Sequence, residues 1–274
     1  MTSSVRIYDL ATDTTETVFE TDRLIEAPNW TPDGTALIVN GDGLLLRLPL
    51  DAPRLDRIET GDLSQLNNDH GLSPDGMRLA ISDKTRNGLS EIYTLPVSGG
   101  SPEALGAPLP AYWHGWSPDG AALAYAGRRD GVFQICTMPA AGGDETILTR
   151  GFDHCDGPDY TPDGRWIWFN GERNGSVDLW RIPSGGGAPE RMTDDERVNW
   201  FPHPSPDGAH VLYLAFEAGT EGHPRDRDVE LRLMPAEGGA PRTLLSLFGG
   251  QGTINVPCWS PDARRFAFVS YARP

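Results

Sequence analysis

Apolar and polar residues alternate with a period of two along most of the chain. Stretches such as "AALAYAG" (121–127) and "RWIWFNG" (165–171) each precede a second alternating stretch that stops at proline: "QICTMP" (134–139) and "DLWRIP" (178–183). "EIYTLP" (91–96) and "ELRLMP" (230–235) have the same form, and a glycine-rich turn follows each proline. A period of two with Pro and Gly at the joints predicts β-strands and turns, not helices. A Ser/Thr-Pro-Asp turn punctuates the pattern at Thr31, Ser73, Ser117, Thr161, Ser205 and Ser260, with spacings of 42, 44, 44, 44 and 55 residues. Such a period marks a repeat architecture. Four strands per repeat make a propeller blade, so the prediction is an all-β, six-bladed β-propeller with four-stranded antiparallel blades. The last copy ends after "RRFAFVSYARP" and the chain starts with "VRIYDLATDTTETVFET". Residues 1–20 should therefore complete the blade begun by 253–274, making 1–274 one domain without an open sheet edge.

Composition adds boundaries to this picture. With 32 Gly and 24 Pro the chain is turn-rich, while 38% hydrophobic residues and eight Trp supply a core. A formal net charge of −16 argues against nucleic acid or an anionic membrane as partner, because phosphate binding needs clustered Lys and Arg. No apolar run is long enough to span a membrane, and the start "MTSSVRIYDL" lacks a signal-peptide pattern. The expectation is a cytoplasmic protein, or a periplasmic one if a signal peptide was removed. Cys136, Cys155 and Cys258 are widely spaced and odd in number, which reads as buried thiols.

The motif "WSPDGAALAYAG...QICTMPAAGG" resembles the repeat of TolB-like propellers, and its six copies cover essentially the whole chain. That resemblance implies the fold. The same repeat serves envelope proteins, peptidase-associated propellers and lyases, so function must be argued from a site.

If each turn sits at one face of the disc, residues a few places upstream of it reach the opposite mouth of the central channel. Those windows hold Asn67-Asn68-Asp69-His70, Tyr112-Trp113-His114, Asp153-His154-Cys155-Asp156, Asn199 to His203 and Gln251 to Asn255. The loop carrying His223 opens on the same face. Two readings stand for each of four histidines: His70 and His114 hydrogen-bond the neighbouring blade, His203 is structural and His223 is a solvated loop residue, or the four, with Gln251, form an open shell for a divalent metal such as Mn, Ca or Zn. Asp69 and Asp156 are candidate acid/base groups, with Tyr112 beside them. Asn68, Trp200 and Asn255 are candidate contacts to a polar ligand, Trp200 as a stacking face. The aspartate of each turn, present in every copy, reads as architectural. In its histidines and glutamine the mouth is similar to oligogalacturonate lyases, propellers in which such residues hold a divalent metal. This similarity implies a metal site more than a reaction. It is the convergence of histidines, carboxylates, amides and aromatic residues on one end of the channel that points to a carbohydrate-like polar ligand, with lyase or hydrolase activity as the expectation. The rival, from the TolB-like resemblance, is a platform for a protein partner.

Overall fold

The computed structural model describes residues 2–273, and every regular element among them is a strand. The chain opens with β1 (Ser3–Asp9) and β2 (Thr14–Thr21). The first full blade is β3 (Glu26–Trp30), β4 (Ala36–Gly41), β5 (Leu44–Pro49) and β6 (Asp56–Ile58). The second is β7 (Leu66–Leu72), β8 (Arg78–Asp83), β9 (Glu91–Pro96) and β10 (Glu103–Ala104). Next come β11 (Ala111–Trp116), β12 (Ala122–Arg129), β13 (Val132–Pro139) and β14 (Thr146–Ile147). The fourth blade is β15 (His154–Tyr160), β16 (Trp166–Arg173), β17 (Ser176–Pro183) and β18 (Glu190–Arg191). The fifth is β19 (Val198–Pro204), β20 (His210–Phe216), β21 (Arg225–Pro235) and β22 (Arg242–Gly250), and the last strand is β23 (Arg265–Tyr271). Strands pair antiparallel in sequence order within each blade, and β23 pairs with β1, so the N- and C-terminal strands close the ring in a sheet of order β2-β1-β23.

The sixth blade departs from the expected regularity. Its innermost segment, 253–259, is not a continuous strand; a bridge between Trp259 and Phe266 and the bonds Ala267 N to Cys258 O and Val269 N to Thr253 O hold it beside β23. Pro257 removes one ladder donor there.

Each Ser/Thr-Pro-Asp turn is built identically. The Ser or Thr hydroxyl donates to the Asp carboxylate at 2.5–2.7 Å, and the Asp accepts the amide two residues on. The repeated aspartate is thus architectural, as its recurrence implied. Five turns place glycine at φ near +70°, and the sixth places Ala263 there at +59°.

Blades lock together through aromatic residues. Trp116 Nε1 donates to Gly71 O at 3.3 Å and Trp259 Nε1 to His203 O at 2.9 Å, each reaching the preceding blade. The ring of Trp113 lies so close to Gly71 that an added Cβ would stand 2.2 Å from it. All three cysteines are buried and free.

Candidate functional site

Counting back five residues from the first residue of each turn gives Glu26, Asn68, Tyr112, Asp156, Trp200 and Asn255. The five regular inner strands all shift register with the second strand at or next to these positions, a β-bulge that re-aims the residues of the channel mouth. In three blades the bulge residue takes φ between +54° and +61°: Ala27, Gly157 and Phe201. For a phenylalanine that is a costly conformation, retained because the neighbouring blades hold it.

The bulges open a cavity of about 290 Å³ lined by Asn67, Asn68, Asp69, Tyr112, His114, His154, Asp156, His223, Gln251 and Asn255, with Lys84, Phe133 and Phe201. Asp156 is its electrostatic hub. Oδ1 lies 3.0 Å from His114 Nε2, while Oδ2 lies 3.7 Å from His223 Nε2 and 3.9 Å from His154 Nε2. Asp69 Oδ1 stands 3.9 Å from the same His114 nitrogen, so one imidazole sits between two carboxylates.

These two carboxylates titrate in opposite directions. Burial pushes Asp69 up to about 7, with the charge of Asp156 adding to the effect and His114 opposing it. Burial acts upward on Asp156 too, but its close contact with His114 and the nearby imidazoles of His154 and His223 hold it well below the usual carboxylate range. His114 is pulled down by burial and pushed up more strongly by Asp69 and Asp156, reaching about 9. Near neutral pH the trio is therefore an ionised Asp156, an imidazolium and an Asp69 that exchanges its proton. Burial, then Asp69 and Asp156, raise the half-buried Tyr112 phenol.

The remaining predicted residues divide. Asn68, Gln251 and Asn255 line the cavity, though Asn255 Oδ1 already accepts from Gly252 N at 2.5 Å. His223 lines it and packs against Trp200 with ring centroids 4.3 Å apart. Trp200 itself is 3% exposed and stands behind His223 and His154, so it supports those rings and presents no stacking face to the cavity. His70 is fully buried, outside the lining, with neither ring nitrogen bonded and its basicity pushed by burial down to about 3. His203 is spoken for: Nδ1 bonds Asp159 Oδ2 at 3.0 Å and Nε2 bonds Ile254 O at 2.6 Å, tying three blades. The expected shell of His70, His114, His203, His223 and Gln251 therefore does not assemble. Among the described residues no three His, Cys, Asp or Glu side chains are arranged to hold a metal ion. The burial of His70 and the two bonds of His203 break up the expected shell, and side-chain direction at a bulge is invisible in residue spacing.

Lys84 and Phe133 complete the lining from outside the windows upstream of the turns, while Asn67, His154 and Phe201 lay in those windows without an assigned role. Lys84 and Phe133 flank second-to-third strand connections, which open on the mouth face and could have been included for that reason. Phe201, within the Asn199 to His203 window, turns its ring to the cavity through its bulge, a direction no residue pattern announces. No helix among the described residues is long and apolar enough to cross a membrane.

The TolB beta propeller domain matches residues 110–234. An uncharacterised protein of Agrobacterium fabrum, Atu1656, is 50% identical over 272 residues, covering 99% of this chain and 93% of that one. A solved structure from Agrobacterium tumefaciens, provisionally described as TolB, superposes with a TM-score of 0.98 at 49% identity over 100% of this chain and 99% of that one. An oligogalacturonate lyase in complex with manganese shares the fold at a TM-score of 0.57 and 15% identity, covering 89% of this chain and 67% of that chain. With half its residues shared across nearly the full length of such relatives, and with the repeat on every blade, the chain belongs to the TolB-like β-propeller family.

Proposed function

We propose that this propeller binds a small, carbohydrate-like polar ligand at the channel mouth, with Asp69 and Asp156 as its proton donor and acceptor. One observation carries the reading: a single cavity brings together two carboxyl groups whose proton affinities are driven apart, an imidazole between them and the amides of Asn67, Asn68 and Gln251. Amides and carboxylates supply the donors and acceptors that hydroxyl-rich ligands require, while Tyr112 and Phe133 give an apolar wall. A volume of about 290 Å³ lies at the small end of ligand sites, which favours one sugar-sized ring over a chain. Two carboxyl groups with separated protonation are the arrangement by which lyases and hydrolases move protons. The residues present do not fit a divalent ion as they stand.

Calorimetric titration with a panel of neutral and acidic sugars tests this. Saturable binding in the parent, weakened at least tenfold by Asn68→Ala with Gln251→Ala, is the expected result. A flat response across the panel would overturn the reading.

A second reading is a protein-interaction platform. It is favoured by Leu89, a large apolar side chain that is 49% exposed in the loop that begins at Lys84. Under it Leu89→Asp abolishes capture of a partner and the Asn68/Gln251 double variant does not.

A further inference from the structure

Lys84 is the only lysine in 274 residues; every other basic side chain apart from the histidines is arginine. It lines the cavity at the channel mouth, and no arginine does. Its backbone is pinned where the loop leaves β8: Lys84 N donates to Gln65 O, and Lys84 O accepts from Gly88 N at 2.8 Å. Its charged chain neighbours are committed elsewhere, and the one cavity carboxyl that feels its charge is Asp69, which burial pushes toward the protonated form. Asp83 accepts from Gln65 N through one oxygen and Thr85 N through the other, at 2.8 and 2.6 Å. Arg86 turns away to a two-pronged pair with Asp62, at 3.0 and 2.7 Å, and lies over the Tyr93 ring. The Lys84 ammonium itself has no hydrogen bond or ion pair among the described residues.

We infer that Lys84 is a specificity-determining residue that selects a ligand carrying an acidic group, carboxylate or phosphate, at the cavity. This deepens the carbohydrate reading above and rests on it. Lysine suits the role: a compact charge with three donors on a flexible stem meets an anion at the rim without the fixed planar geometry that an arginine fork imposes. The chain carries a net charge of −16, so its general field repels anions, and a positive group at the cavity edge is what admits one locally. Among the lining residues Lys84 is the one whose charge does not depend on an imidazole. Its partner is therefore the part of the ligand that stays anionic throughout the neutral range.

Having a single lysine makes the test direct. Reductive ¹³C-methylation keeps the charge and gives one side-chain dimethylamine signal, assigned by its loss in Lys84→Arg. Glucuronate, glucose 6-phosphate and glucose are titrated while that signal is followed by NMR, with calorimetry on parent and Lys84→Met protein. Expected is a saturable shift with glucuronate or with glucose 6-phosphate, whichever acid the site takes, and none with glucose. The acidic sugar should bind about tenfold more tightly than glucose, the gain of one charge-assisted hydrogen bond, and Lys84→Met should erase that preference. Three results overturn the inference: a signal that moves only as it does with sodium chloride, equal affinity for glucose and its acids, or a preference that survives Lys84→Met. If glucose binds with saturable heat and the signal stays still, the cavity reading stands and Lys84 has no part in it. If inorganic phosphate shifts the signal saturably while no sugar produces heat, the anion site stands and the carbohydrate reading falls.

Discussion

At the scale of single residues, Asp69 stores a cost that pH reveals. In an unfolded chain its carboxyl titrates near 4, whereas burial raises it to about 7 in the fold. The proton is thus held more tightly by the folded state, and the stability it contributes is full below pH 4 and lost as pH rises toward 7. Asp69→Asn, which mimics the protonated form, should match the parent at pH 4 and exceed it by about 2–4 kcal/mol at pH 8, at about 1.4 kcal/mol per pH unit of displacement. Differential scanning calorimetry at the two pH values checks this, and an equal gain at both would refute it. Such a cost is typical of a functional position, where stability is traded for chemistry. Ala263 is the contrasting case, a residue with no such trade. It occupies at φ +59° the place that glycine takes at five other turns. Relief of left-handed strain predicts that Ala263→Gly raises stability by about 0.5–1 kcal/mol, measurable by urea denaturation. The turn chemistry was fully legible in the residues, because a Ser/Thr-Pro-Asp-Gly turn satisfies its own backbone and needs no distant partner. Asp69 could be named as a candidate for the same local reason, but not its protonation, which depends first on its burial and then on the charges of His114 and Asp156 from two other blades.

At the scale of elements, the inner strands decide the site. Their position just before each turn placed five of the six correctly, yet the bulges determine which side chains meet in the channel. His70 and His114 stand three residues before their turns in adjacent blades, and only His114 lies in the cavity. Packing across blades is equally specific. Gly71 lets the Trp113 ring lie against β7, and a Cβ there would come within 2.2 Å of it. Gly71→Ala should therefore cost about 1–3 kcal/mol and lower the melting temperature, as expected for overpacking a filled interface. A Gly115→Ala control, whose Cβ would stand 3.1 Å from Pro158 O, should be milder. If the order of the two were reversed, the Trp113 contact would not be the constraint.

For the whole molecule, ring closure rests on β1, which pairs with β23 from Ser3–Tyr271 to Asp9–Arg265 while Val5 and Ile7 enter the core. Deleting residues 2–21 exposes the β23 edge and removes that packing, so the shortened chain should lose its cooperative melting transition and self-associate. Size-exclusion chromatography and calorimetry read both effects; a monomer melting as sharply as the parent would show that closure does not hold the ring. Closure also bears on the site. Gln251, Gly252 and Asn255 belong to the segment leading into the sixth blade, and Tyr271 OH reaches Gln251 O at 3.4 Å. An open ring would therefore be expected to lose ligand binding along with stability.

The sequence by itself determined the strands, the turns, the number of blades and the face on which the polar residues gather. Each of these follows from periodicity and from turn residues that act over a few positions. Only the tertiary structure decided which of those polar residues touch. It gave His203 to Asp159 and Ile254, closed His70 off, set Trp200 behind the histidines and brought Lys84 and Phe201 to the cavity. Side-chain direction at a bulge and contact between blades depend on pairs 30 to 50 residues apart, such as Asp159 with His203 at a separation of 44, and a local pattern carries no record of them.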